Sequence, residues 1–110
     1  MALPAGILRE YVTIERPLEE RNTLGESVQS WSDFADRWAS IEAISYLEQS
    51  RRGQIGGSVS HTVRMRYVPG LTGQMRLRWN SRGGRILYIS SVVERGFREE
   101  HELQVEEMAT

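Results

Sequence analysis

Apolar and polar residues alternate with a period of two through most of this chain, in short runs rich in β-branched and aromatic residues and bounded by Gly, Pro, Asn and Ser. That period places every second side chain on one face of an extended strand. A first strand is predicted from Arg9 to Arg16, stopped at Pro17, whose nitrogen has no hydrogen to give a ladder. Asn22 to Glu26, with Gly25, reads as a turn. Val28 to Phe34 and Trp38 to Ile44 read as the second and third strands, joined in a hairpin around Ala35 to Arg37. Alternation resumes at Ser60 to Val68, which Pro69-Gly70 stops, and again at Gln74 to Trp79. Asn80 to Arg85, with Gly83-Gly84, reads as a hairpin turn leading to Ile86 to Val93. Leu103, Val105 and Met108 suggest a last, weaker edge strand.

The longest break in this pattern is 45–58. Ser45-Tyr46-Leu47-Glu48 matches a capping box, in which the Ser hydroxyl and the Glu three residues on satisfy backbone donors at a helix start. Gly53, Gly56 and Gly57 would end such a helix quickly, so the segment reads as one long loop or a short helical excursion. The expected fold is all-β: a small antiparallel β-barrel or sandwich of six or seven strands. At 110 residues the chain fits one domain, 1–110, with no internal repeat and enough apolar content (39%) for a core without metal or disulfide support.

Composition narrows the chemistry. No apolar run approaches the roughly 20 residues that span a bilayer, and Met1 to Gly6 lacks the pattern of a secretory signal, so no membrane partner is expected. The absence of cysteine removes thiol nucleophiles, thiolate metal sites and disulfides. His61 and His101 match no compact metal motif, and His61 reads as a surface or hydrogen-bonded residue rather than a base. The adjacent pairs Glu19-Glu20, Glu99-Glu100 and Glu106-Glu107 point to opposite sides of a strand, so none forms a carboxylate dyad. Gly83-Gly84 lacks the Lys-Ser/Thr of a phosphate loop, and Trp31, Trp38 and Trp79 read as core anchors. No catalytic residue, metal site or cofactor is expected.

Charge is the feature that points to function. From Gln49 to Val93 there is no Asp or Glu but there are eight arginines, whereas residues 1–44 hold eight acids and four arginines, and 99–110 hold five acids and no arginine. The net charge of −1 hides this segregation. It suggests a polyanion-binding face or a surface that meets the opposite surface of another copy. All 14 basic residues are arginine, which suits bidentate contact with carboxylate or phosphate and is equally explained by genomic base composition. Strand parity puts Val63, Met65 and Tyr67 on one face and Thr62, Arg64 and Arg66 on the other. Met75, Leu77 and Trp79 likewise oppose Arg76 and Arg78. The aromatics thus share the apolar parity, which argues against the interleaved platform that stacks bases.

Several patterns taken in order resemble the phage head–tail joining family, also called head-closure, adaptor or stopper proteins. They are Leu8-Arg9-Glu10-Tyr11-Val12-Thr13-Ile14-Glu15-Arg16-Pro17 with Gly25 and Trp31, then Arg37-Trp38-Ala39-Ser40-Ile41-Glu42, then Ser60-His61-Thr62-Val63-Arg64-Met65-Arg66-Tyr67-Val68-Pro69-Gly70. Met75-Arg76, Gly84-Arg85 and Tyr88-Ile89-Ser90-Ser91-Val92 follow, so the likeness runs from about Leu8 to Glu106. It implies a small β-barrel without enzymatic activity that assembles, in the bacterial host cytoplasm, into a ring, typically a dodecamer, in the connector of the virion. The ring would sit below the portal or adaptor protein, close the DNA-filled capsid, and receive the tail terminator or tail tube protein. Double-stranded DNA would pass through it without sequence-specific binding.

On this reading Arg64, Arg66, Arg76 and Arg78, with Glu99, Glu100 and Glu102, belong to the subunit interface, the arginines facing a neighbour's acidic amino- or carboxy-terminal segment or an adjoining ring, and Glu48, Arg51, Arg52 and Gln54 lie in a channel loop near DNA. The alternative is a small-barrel nucleic-acid-binding protein whose outward strand arginines grip phosphates. Each neutralised duplex phosphate contributes roughly 0.9 to the salt slope of log affinity. About a dozen copies with one contact each would therefore clamp a genome that has to slide, which favours protein contacts for most strand arginines.

Overall fold

The computed structural model describes residues 5–21, 23–25, 27–44 and 58–108. Six strands follow one another: β1 (Glu10–Arg21), β2 (Ser27–Ala43), β3 (Ser58–Arg66), β4 (Arg76–Trp79), β5 (Arg85–Arg95) and β6 (Glu100–Met108). All neighbours are antiparallel in the order β1-β2-β3-β6-β5-β4, and β4 returns to β1, so the sheet closes into a barrel. Closure removes the free edges that a sandwich would retain. The capping-box residues and the rest of 45–57 lie outside the described residues.

Parity holds where the sheet closes. Val12, Ile14, Ala39, Val63, Met65, Leu77, Trp79, Leu87, Ile89, Leu103 and Val105 point inward as one buried cluster. Their removal from water drives folding, at about 1.5–3 kcal/mol for each large apolar side chain. Between them, Arg64, Arg66, Arg76 and Arg78 project outward at intermediate or full exposure.

Three expectations about the strands are corrected. Val28 to Phe34 and Trp38 to Ile44 are not two strands around a hairpin, because β2 runs unbroken for 17 residues. Ile14 pairs with Ala35 and Glu15 with Asp33, leaving Phe34 as the extra residue of a β-bulge. The bulge lets two consecutive residues, Phe34 and Ala35, both pack against the core, and this breaks the period that alternation relies on. Second, β1 passes through Pro17, which pairs with Trp31, and ends at Arg21. Beyond Glu15 this strand has, among the described residues, only β2 beside it, and a one-sided strand has room for a residue with no N–H. Third, the last strand is not an edge: β6 lies between β3 and β5, bonded to both. A second irregularity, between Ile89 and Ser91, leaves the Ser90 hydroxyl donating to the Gln104 carbonyl at 2.9 Å.

Among the described residues, Arg16–Arg21 and Ser27–Ser32 pair only with each other and form a two-stranded arm that continues past the barrel. The arm is consistent with the 49 × 32 × 25 Å extents and with a radius of gyration of 15.0 Å, against about 13 Å for a compact domain of this length. At the turn after β3, Gly70 takes φ +84, and a Cβ there would lie 3.1 Å from Phe34 Cζ, so the bulge and the Pro69-Gly70 stop are packed against each other.

Candidate interaction surface

The arrangement of the strands brings the segregated charges together. β4 and its arginines lie beside acidic β1, while β3 and β5 lie on either side of acidic β6. Arg76 Nε donates to Glu15 Oε1 at 2.7 Å and Arg78 NH1 to Glu15 Oε2 at 2.6 Å, so one carboxylate that is 6% exposed serves two guanidiniums. Arg76 also stacks over the Trp31 ring, 4.1 Å from its centroid. Arg78 Nε donates to Asn80 Oδ1, Asn80 Nδ2 to Thr13 Oγ1, and Thr13 Oγ1 to Asp36 Oδ1, a chain that ties the β4 turn to β1 and β2.

β6 supplies the other carboxylates. Glu107 binds Arg85 through both oxygens, and these hydrogen bonds hold the Glu107 carboxyl below its usual range. Arg95 NH2 donates to Glu102 Oε2 at 2.7 Å, and Arg64 NH2 lies 3.5 Å from Oε1 of buried Glu100. Arg66 differs from these: it is exposed, and among the described residues its guanidinium has no hydrogen bond or ion pair.

Both histidines are buried, which corrects the surface reading of His61. The His61 ring meets Trp79 edge to face at 5.6 Å, and burial pushes its pKa down. His101 Nδ1 accepts the Val68 backbone N–H at 3.1 Å, its ring stacks on Tyr67 at 4.8 Å, and burial lowers its pKa too. Its Nε2 lies 3.7 Å from Glu94 Oε1. Among the described residues no group of three His, Asp or Glu side chains is placed to hold a metal.

The tryptophans divide. Trp79 is a core residue whose Nε1 donates to Glu10 Oε1 at 2.8 Å. Trp31 is half-buried under Arg76, and Trp38 is 55% exposed, so the expectation of three core anchors fails for these two. Trp38 packs on Tyr11 of β1, with ring centroids 5.0 Å apart and planes at 58°. Leu8, Asp36, Arg37, Trp38 and Arg66 line a groove of about 530 Å³ here. The groove was legible in part: β2 alternation sets Trp38 with Ser40 and Glu42, opposite Ala39 and Ile41. The exposed Phe97, in the β5–β6 turn, carried no such signal, because turns have no parity to read.

Of the residues expected at a subunit contact, Arg76 and Arg78 cluster on Glu15 at the β1–β4 seam. Arg64, Glu100 and Glu102 lie along the β3–β6 ladder, with Arg66 opposite Glu100 and Glu99 in the adjoining turn. Glu48, Arg51, Arg52 and Gln54 lie outside the described residues.

Residues 3–108 match the model of the phage head completion protein family. The chain belongs to that family. The solution structure of a Shigella flexneri 2a protein is similar, at 25% identity and a TM-score of 0.72, with 96% of each chain covered. A chain in the virion of a native gene transfer agent particle is similar in fold, at 20% identity and a TM-score of 0.64 over 92% of this chain and 96% of that one. No curated protein matches. Membership of that family gives this head completion protein a structural role in completing the phage head.

Proposed function

We propose that this head completion protein assembles as a homo-oligomeric ring, a dodecamer, in the head–tail connector. It closes the DNA-filled capsid below the portal or adaptor protein and offers a docking surface to the tail terminator or tail tube protein. One observation carries the reading: a barrel with a filled core leaves Trp38 at 55% and Phe97 at 86% exposure. Trp38 in particular lies with Leu8 and Tyr11 beside Asp36, Arg37 and Arg66, and an exposed apolar patch rimmed by charge supports a surface that a partner covers.

Arg64, Arg66, Arg76, Arg78, Glu99, Glu100 and Glu102 are assigned to the subunit contact, buried Glu100 acting through Arg64, which it holds at the surface. A guanidinium has five donors, and a single carboxylate uses at most two, so the paired arginines retain donors for a neighbour. Pairing also weighs against the phosphate-gripping alternative, because Glu15 already pairs with both Arg76 and Arg78, and Asp33 adds a second carboxylate 3.6 Å from Arg78. The segment with Glu48, Arg51, Arg52 and Gln54 is assigned to the channel wall on sequence grounds, near double-stranded DNA that passes without sequence-specific contact. Assembly takes place in the host cytoplasm, and the protein acts without enzymatic activity.

Electron microscopy of the chain mixed with the portal of its own virus tests this. Ring density beneath the portal is the expected result. A chain that sediments as a monomer with portal and tail components present, from low to physiological salt, overturns it.

A further inference from the structure

We propose that the tip of the β1–β2 arm of one subunit docks into the Leu8–Trp38–Arg66 groove of the next. The inference rests on the ring reading above and names the contact that would build the ring.

The groove and the tip are chemically matched. The groove offers the exposed Trp38 ring, the side of Leu8 and a guanidinium, Arg66, that is unpaired among the described residues, while Arg37 NH1 donates to the neighbouring Asp36 carbonyl. The tip offers Leu24, 82% exposed, in the Thr23–Gly25 turn, and exposed Glu19 on the strand leading to it. From Leu18 to Glu26 the chain carries three glutamates against one arginine. An exposed leucine for an aromatic groove and a carboxylate for a free guanidinium supply an anchor and an orienting pair.

Geometry forces the contact to lie between chains. Trp38 and the last paired residue, Ser27, are on the same strand and separated by about 36 Å at 3.3 Å per residue. The ribbon between them is continuous, paired from Tyr11–Trp38 to Arg21–Ser27. A bulge at Phe34 bends such a ribbon but does not fold it back, so a tip cannot reach its own groove. Tip and groove are different surfaces, and a head-to-tail contact of this kind repeats until rotation closes a ring.

A nucleic-acid occupant fits less well. Asp36 lines the groove beside the arginines and repels phosphate. Tyr11 and Trp38 pack on each other at 58°, which leaves no parallel slot for a base.

The chain has no cysteine, so introduced thiols report contacts without background. Leu24→Cys and Leu8→Cys chains, mixed and assembled with portal, are expected to give a disulfide-linked heterodimer under mild oxidation, with neither variant alone doing so. Glu19→Arg and Arg66→Glu are each expected to lower ring yield at least tenfold, and the double variant to recover most of it. Arg66→Glu and Glu19→Arg are both at exposed positions, so thermal melts like the parent's separate lost assembly from lost folding. If parent rings form, no mixed disulfide appears and the charge reversals leave the yield unchanged, the arm contact is overturned while the ring stands. If parent rings never form on the portal, both readings fall. If the parent binds a single-stranded oligonucleotide and Trp38→Ala and Arg66→Glu abolish this, the groove is a nucleic-acid site and the proposal is overturned.

Discussion

Arg76 donates from Nε to Glu15 Oε1 at 2.7 Å across 61 residues of chain, and this pair joins the first strand to the fourth where the barrel closes. Arg78 takes the other oxygen of the same carboxylate. Closure of the β1–β4 seam is short, Val12–Glu15 against Arg76–Trp79, so side-chain bonds across it matter more than on the long β1–β2 ladder.

Glu15→Gln keeps the shape and removes the charge that two guanidiniums share. Hydrogen bonds to charged groups contribute about 1.5–3 kcal/mol each when well buried. Both arginines retain some solvent, so the expected loss is discounted to about 1–3 kcal/mol in total. Urea unfolding of parent and variant measures it; a midpoint shift equivalent to less than about 0.5 kcal/mol, the range of ordinary surface changes, would show the clamp to be dispensable.

Gly70→Ala forces a residue with a Cβ into positive φ and brings that carbon against the Phe34 ring. The left-handed conformation alone costs about 1–2 kcal/mol for an L residue. Thermal melting is expected to show the loss, and Gly25→Ala, at similar φ with open space around it, is expected to lose less.

Leu103→Ala opens a cavity at a fully buried position on β6, bonded on both sides. A loss of about 2–5 kcal/mol is expected, against less than about 0.5 kcal/mol for Leu24→Ser at the exposed arm tip. Equal losses in denaturant titrations would contradict the placement of β6 in the wall's interior.

Acid should weaken the fold in two windows. Burial lowers the pKa of His61 and His101 in the folded chain, so the unfolded chain takes up protons first. Stability is full above the ordinary histidine value of about 6.5 and falls as the pH drops through the depressed values. The partners that face these rings are Glu94 for His101, and Glu107 with Arg85 for His61. His101→Gln is expected to flatten the upper part of the curve in pH-dependent urea titrations. Arg85 lowers the Glu107 pKa, so that contribution is present at neutral pH and is lost only below the ordinary carboxylate range, in a separate and more acidic window.

Much of the site was legible because strand parity is local. Val63, Met65, Leu77 and Trp79 face the core and their neighbours Arg64, Arg66, Arg76 and Arg78 face out, as alternation required. Phe34 shows where this fails: one extra residue in β2 resets the parity, and a bulge defined by its partner strand mimics a turn when only one strand is read. Trp38 shows a second limit. Its polar-face parity was visible, yet aromatic character suggested a core, and only the closed barrel shows that the interior was already full.

The sequence by itself determined an all-β chain, its inward and outward faces, its glycine turns at Gly70 and Gly83-Gly84, and the separation of acid from arginine along its length. These follow from local sterics, the two-residue repeat of a strand, and composition. Strand order decided what that separation means. By setting β4 against β1 and β6 between β3 and β5, the barrel turns charges far apart in the chain into pairs within it, and leaves Arg66 in the groove with Trp38 as a guanidinium open to a partner. Pairings between residues sixty apart are set by which strands share an edge, and no local pattern contains that information.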